Sequence, residues 1–386
     1  MYLSEKEINE FIKGLGLKFD GEIAQGQDTE KEQIESKISS DLLAQNQPYD
    51  SQLEISANEL TFDHKCPIGS GQFGTVLKAT FKRPEPSLTV AVKTAKPNLN
   101  AQYLRTLLKE VKIMMYVGQH PKIVGLLGCC TANLRKGELF LVLEYCENGS
   151  LEKFLKANRA RFVNIVEKGI LHAEKCAASD YLKILLGLEL PTPLQSDSTD
   201  IFDIYRLITW SIEIAEGMEY LATKKVVHGD LSARNVLVTA DGKAKVADFG
   251  LSRTIYHYTH YAKNGREPLP WRWMALESLK NSSFSTASDV WSFGVLMWEI
   301  FTLAEQPYPG VSSLTSNFVQ NLEQGLRPTF PPFATSEIYN IMSCCWDEDP
   351  KRRPLFSRLL CSLMEIQSEC REKTSRRPSS DSDYFE

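Results

Sequence analysis

The sequence predicts an α+β protein in two lobes. One is small, with a five-stranded antiparallel sheet and one helix; the other is large and mostly α-helical. Three observations carry this. Residues 58–145 hold five short β-branched or apolar runs, and a single stretch there has helical spacing. Beyond Gly149 the apolar spacing becomes helical. At 386 residues, 42% hydrophobic and 24% charged, the chain has ordinary globular usage, which excludes wholesale disorder, collagen and coiled coil.

The elements follow in order. Residues 1–57 are polar and acidic, a leader that is partly helical or disordered. Strand composition marks 60–67, 75–81 and 88–94, the last alternating Val90 and Val92 with smaller or polar residues. Asn100 then precedes a helix with Leu104, Leu107, Leu108, Val111, Met114 and Met115 apolar. Strands at 123–130 and 139–145 complete the small lobe. Residues 157–200 lack clear periodicity and end in Pro191, Pro193, Ser196 and Ser198, as expected of a surface insertion. Tyr205 to Ala222 resumes as a helix with Leu207, Trp210, Ile214, Met218 and Leu221 on one stripe. After Glu369 the Ser-, Arg- and Asp-rich tail reads as disordered. The chain is thus one bilobal unit with three additions, although its length alone suggests two or three domains.

Charge is divided along the same lines. The chain carries −5, against a dedicated nucleic-acid binder. Residues 1–57 hold twelve Asp/Glu and five Lys, a net of −7, while 157–200 and 369–386 each carry −1, which leaves +4 on the remainder. Nine Cys without a framework spacing point to free thiols in a reducing compartment. No run of 18 apolar residues suggests a membrane span, and Met1 to Glu10 lacks the apolar region of a signal peptide, so the chain as written is expected in the cytoplasm.

Four clusters carry chemistry. Gly69-Ser70-Gly71-Gln72-Phe73-Gly74 runs into the β-branched Thr75-Val76 rather than a helix, which argues against a dinucleotide-binding fingerprint. On these residues alone, a cradle of backbone N–H groups for phosphates and an ordinary Gly-rich hairpin stand level. Lys93 ends the apolar run Val90-Ala91-Val92, and Glu110 falls on the inward stripe of the following helix. Each would be costly to bury alone, so the economical arrangement pairs them and aims Lys93 at phosphates. A Glu110 that merely flanks the core in water is the other reading. The third cluster is His228-Gly229-Asp230-Leu231-Ser232-Ala233-Arg234-Asn235, and the fourth is Asp248-Phe249-Gly250. Together they offer two carboxylates and an amide oxygen, hard ligands that suit Mg²⁺. Phosphoryl transfer needs that metal charge, positioning, and a carboxylate to orient the acceptor hydroxyl.

These four clusters, in this order, resemble the signature set of protein kinases over about residues 58–368. The resemblance implies a small lobe at 58–145, a hinge at about 144–149 and a large lobe at 150–368. It implies that Gly69, Gly71 and Gly74 cover ATP and that Lys93, held by Glu110, binds its α/β-phosphates. Asp230 would be the catalytic base, with Asn235 and Asp248 holding Mg²⁺. Val76, Ala91 and Leu237 would sandwich the adenine. Leu143 would be the gatekeeper, and Glu144 to Cys146 would hydrogen-bond the ring. Met114, Leu126, His228 and Phe249 would stack as a spine, and Glu277 would pair with Arg353.

Ser232 stands where serine/threonine kinases usually carry Lys. Arg234 instead resembles the catalytic-loop Arg of receptor-type tyrosine kinases, and Pro270 to Ala275 resembles their substrate shelf. The implied activity is therefore ATP- and Mg²⁺-dependent transfer to protein tyrosine. The insert, Gln47-Pro48-Tyr49-Asp50, and Cys146 to Leu151 followed by Arg161-Phe162-Val163 resemble the split kinases of the vascular endothelial and platelet-derived growth factor receptor group. The resemblance then implies a plasma-membrane receptor whose span lies upstream, activated by dimerisation with a second copy. A soluble relative is the other possibility. Autophosphorylation is expected at Tyr256, Tyr258, Tyr261 and Tyr384, and phosphorylated Tyr49, Tyr181 or Tyr384 would dock phosphotyrosine-binding adaptors.

Three departures stand out. Gly229 replaces the Arg that normally meets a phosphorylated activation segment, which implies weaker dependence on that phosphorylation and leaves a catalytically impaired scaffold as the rival reading. Arg253 is a candidate substitute partner for the phosphate. Trp271 replaces a smaller residue on the shelf, and Leu276 replaces Pro.

Overall fold

Alternation along residues 88–94 explains the centre of the first unit. The structure, a computed structural model, describes residues 49–63, 67–71, 74–82, 86–95, 101–134, 138–171, 202–250, 252–254 and 269–375. The chain divides into two units. The first is Met1–Cys146 with Leu221–Gly229 and Ala247–Gly265, and the second is Glu147–Tyr220 with Asp230–Val246 and Arg266–Glu386.

In the first unit β1 (Leu60–Phe62), β2 (Gly69–Gly71), β3 (Gly74–Phe81), β4 (Leu88–Thr94), β5 (Leu126–Cys130) and β6 (Phe140–Glu144) form one antiparallel sheet. Its path is β1-β3-β4-β6-β5, with β2 also paired to β3. Of the run expected as a strand at 60–67, β1 takes 60–62; β2 lies beyond that run, and because both pair with β3 the expected five lanes remain. Gly69 and Gly71 lie in a strand, not in the turn, because Gly69 pairs with Val76 and Gly71 with Gly74. Gly74 has no room for a side chain, since a Cβ there would meet the Thr94 carbonyl oxygen at 2.3 Å.

Val90 and Val92 join Ile55, Leu60, Ala79, Phe81, Cys130 and Val142 in the core on one side of the sheet. The pleat sends Ala91 and Lys93 to the other side, where Val76, Leu141 and Leu143 are their cross-strand neighbours. Helix α1 (Ala101–Val117) buries Leu104, Leu107, Leu108, Val111 and Met114, the stripe its spacing predicts.

In the second unit α2 (Leu151–Ala157) starts at the Ser150 cap. The hairpin β7 (Val166–Glu167) and β8 (Ile170–Leu171) follows it. The first part of the expected insertion is packed, with Ile165 and Val166 buried and the Phe162 ring 5.4 Å from Phe202 and 4.7 Å from Phe333. Aromatic and β-branched residues gain more from burial than from serving as a loop. Helix α3 (Ile204–Thr223) begins in this unit and ends in the first, which adds β9 (Val226–Val227). The hairpin β10 (Val236–Val238) and β11 (Ala244–Val246) returns to the second, and β12 (Arg253–Thr254) pairs with β9 in the first.

Helices α4 (Leu276–Asn281), α5 (Thr286–Ile300), α6 (Ser316–Glu323), α7 (Ser336–Cys345) and α8 (Phe356–Ser375) complete the second unit. Helix α5 is capped by Ser285 and buried from Ser288 to Ile300. It approaches α7 so closely that a Cβ on Gly294 would lie 2.7 Å from Cys345 and Trp346 atoms. Helix α8 continues past Glu369, where the sequence suggests a disordered tail. Good helix formers there and a buried Cys370, whose carbonyl accepts from the Tyr205 hydroxyl at 3.0 Å, extend it.

Candidate active site

The first unit carries one half of the predicted machinery. Lys93 Nζ lies 2.8 Å from both carboxylate oxygens of Glu110 and 2.9 Å from Asp248 Oδ1. The pairing expected from strand and helix spacing is present, and Asp248 joins it. Glu110 is 1% exposed, so it is not a solvated flank. Burial works against the Lys93 charge, but the Asp248 and Glu110 carboxylates outweigh it and hold its pKa above the ordinary lysine value. Burial also raises Asp248, yet Lys93 prevails and keeps that carboxyl below the usual range. For Glu110 the balance reverses, because burial raises it more than Lys93 lowers it.

Asp248 sits at φ 62°, a left-handed conformation that costs a side-chain-bearing residue about 1–2 kcal/mol. Its Oδ1 accepts the Gly250 N–H at 3.2 Å as well as Lys93, and its side chain remains 40% exposed. Beside it, the His228 ring lies 5.5 Å from Phe249 and its Nε2 donates to the Ala247 carbonyl at 3.0 Å. Of the spine residues, Met114 and Leu126 are also buried.

Val76, Ala91, Lys93 and Leu143 share one face of the sheet through the Val76–Lys93 and Ala91–Leu143 pairs. Glu144 points to the other face beside Val90, and its N–H and carboxylate both bond the Gly125 backbone, at 2.9 and 3.2 Å. Cys146 is buried.

The second unit carries the other half. Asp230 Oδ1 accepts from Arg234, and Asn235 Nδ2 donates to the Asp230 carbonyl at 2.7 Å and to Oδ2 at 2.8 Å. The Arg234 guanidinium stacks on Trp273, 4.3 Å from the ring centre. Leu237, on β10, is half-buried, and its neighbour Val238 takes the Gly149 carbonyl at 2.9 Å.

The donors fit Mg²⁺ in kind. Asn235 uses its Nδ2 on Asp230, so that Oδ1 is the amide atom of the kind Mg²⁺ takes, while Asp248 keeps its carboxylate partly in solvent. Among the described residues no group of three or more His, Cys, Asp or Glu could hold an ion. Mg²⁺ takes one or two carboxylates and completes its shell with water and substrate phosphates.

The Glu277–Arg353 pair is bidentate at 2.7 and 2.8 Å, and Arg353 also donates to the Asp347 and Ala287 carbonyls. On the expected shelf, Arg272 is buried and donates to the carbonyls of Pro307, Tyr308 and Val311, while Trp271 lies between its guanidinium and Phe318. Sequence reasoning placed Arg272 and Trp273 on the shelf without these contacts and missed Glu299, because backbone carbonyls and ring faces leave no spacing signal. Tyr49 is half-buried, and its hydroxyl donates to Glu54. Tyr181, Tyr256, Tyr258, Tyr261 and Tyr384 lie outside the described residues, as does the Arg253 side chain.

A lysine–glutamate pair on a β-rich unit, with a carboxylate–amide loop on a helical one, is the pattern of the protein kinase class. The family described as protein tyrosine and serine/threonine kinase matches residues 62–363. The chain is 40% identical to a fibroblast growth factor receptor from Halocynthia roretzi, 37% to vascular endothelial growth factor receptor 3 from Danio rerio, and 34% to mast/stem cell growth factor receptor Kit from Canis lupus familiaris. Each alignment covers 83% of this chain and 40%, 24% and 36% of the relative. The chain belongs to the protein kinase family, with a catalytic domain of the receptor tyrosine kinase type. It spans between about a quarter and two-fifths of the length of these relatives. Among the described residues no helix is long and apolar enough to cross a membrane.

Proposed function

We propose that this chain transfers the γ-phosphate of ATP to protein tyrosine hydroxyls with Mg²⁺, as the inner part of a receptor that autophosphorylates. The observation that carries the reading is Lys93, charged and held by Glu110 and Asp248. Lys93 binds the α/β-phosphates. Gly69, Gly71 and Gly74 cover the nucleotide, and Val76, Ala91, Leu143, Glu144, Cys146 and Leu237 hold its adenine. Asp248 and Asn235 hold Mg²⁺, which when bound supplies the positive charge that stabilises the transferring phosphoryl group. Asp230, oriented by Arg234 and Asn235, positions the tyrosine hydroxyl and accepts its proton.

The test incubates the protein with ATP, Mg²⁺ and a mixture of Tyr, Ser and Thr peptides, with Asp230→Asn as control. Transfer to tyrosine that disappears in the control is expected. No transfer by the parent protein would replace this reading with a binding scaffold, and transfer to serine would overturn the tyrosine assignment. Phosphate on Tyr256, Tyr258, Tyr261 or Tyr384 after incubation with ATP is the expected autophosphorylation, read by mass spectrometry. Dimerisation with a second copy and adaptor docking belong to the same proposal.

A further inference from the structure

We infer that Glu299 is a positioning residue for the catalytic loop, acting from the buried helix α5 through the Ala233 N–H and through Trp273. The inference rests on the kinase reading, because it concerns how Asp230 is held. Glu299 is 4% exposed, and burial raises its carboxyl pKa to about 7 against the Ala233 and Trp273 hydrogen bonds. One oxygen, Oε2, accepts both the Ala233 N–H at 2.9 Å and the Trp273 indole N–H at 2.8 Å. Ser292, seven residues earlier and so on the same face of α5, donates to the Trp273 carbonyl at 2.7 Å. Helix α5 thus fixes Trp273 by its backbone and by its ring.

That ring supports the Arg234 guanidinium, which donates to Asp230. Ala233 is fully buried and neighbours Arg234 directly. The loop that carries Asp230 is therefore gripped at a main-chain atom, and its arginine is gripped through an aromatic plate. Both grips end on one oxygen. What they require is an acceptor at that point, not a negative charge, so Gln can supply it and an apolar residue cannot. A buried carboxylate that merely satisfied two donors would alter stability when replaced and leave turnover per folded molecule alone.

The test compares Glu299→Gln, Glu299→Leu and Trp273→Phe in the full chain. It measures kcat, KM for ATP, melting temperature, and hydrogen exchange of peptides spanning 231–236. Displacing a reacting group by about 1 Å costs on the order of 100-fold. Glu299→Leu should accordingly lower kcat about 10- to 100-fold, with KM for ATP within about twofold. Trp273→Phe, which keeps a ring but deletes the N–H, should lower kcat about 3- to 10-fold. Glu299→Gln should stay within about threefold of the parent.

Exchange at 231–236 should rise in the leucine variant and not in the glutamine one. An unchanged kcat in Glu299→Leu, or a loss in Glu299→Gln as large as in Glu299→Leu, overturns the inference. If the leucine variant does not fold, an unchanged kcat in Trp273→Phe overturns it. If the parent transfers no phosphate, the kinase reading fails instead, and the exchange data still decide whether Glu299 holds the loop.

Discussion

Asp203 holds the start of α3 with one carboxylate oxygen, Oδ1, which accepts the Tyr205 and Arg206 N–H groups at 3.0 and 3.4 Å. Its other oxygen is buried without a partner. Burial outweighs those hydrogen bonds and raises the carboxyl pKa to about 7, whereas an unfolded aspartate titrates near about 3.9. The folded protein therefore holds this proton more tightly. Its contribution to stability is full below pH ~4 and is lost as pH rises to about 7. Asp203→Asn keeps a capping oxygen and cannot titrate, so denaturant unfolding at pH 5 and pH 8 should differ less than in the parent. Glu299 titrates in the same window, so the slope should shrink without vanishing. An undiminished slope would refute the assignment. Gly229 presents the converse case, a backbone constraint with no side chain. At φ 78°, Gly229→Ala should cost about 1–2 kcal/mol of stability. With no cation at that position, turnover should change little on autophosphorylation; a large rise abolished by Tyr261→Phe would contradict this.

Among the strands, β5 ends one side of the sheet, and an edge left exposed invites pairing with other chains. Residues that the sequence places in the leader cover it. Glu54 bridges to Cys129, the Ile55 N–H reaches the Cys129 carbonyl at 2.8 Å, and the Glu54 carboxylate takes both the N–H and the hydroxyl of Thr131 at 2.8 Å. Gly128 makes the approach possible, because a Cβ there would lie 2.2 Å from Ile55 Cδ1 and 2.8 Å from the Leu53 carbonyl oxygen. Gly128→Ala should therefore detach residues 51–55, seen as faster hydrogen exchange or proteolysis there; unchanged protection would show that the edge is covered some other way. This docking was not legible, because a polar, acidic stretch carries no periodic signal. The lanes of the sheet, α1 and the Lys93–Glu110 pair were legible, because strand and helix periods state which way each side chain points. The strand β2 on the glycines and the extension of α8 were not, since partners elsewhere in the chain set them. The same holds for Trp273 and Glu299, which meet across 26 residues through one indole N–H.

At the scale of the whole chain, the division of charge sharpens what ligand binding should do. The net −5 hides a leader of −7, while on the proposed function the part matching the kinase family accepts a polyanionic nucleotide. Anything that binds only the folded state stabilises it, by about 2.7 kcal/mol at a hundred times its Kd. Mg²⁺ with a non-hydrolysable ATP analogue should accordingly raise the melting temperature. A chain of two units can unfold in two steps, so the shift is to be read for each transition. Lys93→Met would destabilise the protein even without nucleotide, because it leaves Glu110 buried beside no cation, a loss of about 3–5 kcal/mol for a buried pair. The informative quantity is therefore the nucleotide-induced shift within each variant, not the melting temperature itself. That shift should largely disappear in Lys93→Met and persist in Asp230→Asn, because the role proposed for that charge is on the acceptor hydroxyl and not on the nucleotide. In Asp248→Asn it should lose most of its dependence on Mg²⁺. A full shift in Lys93→Met would mean that Lys93 is only the structural partner of Glu110 and Asp248, and the phosphate-binding role would have to move to other residues.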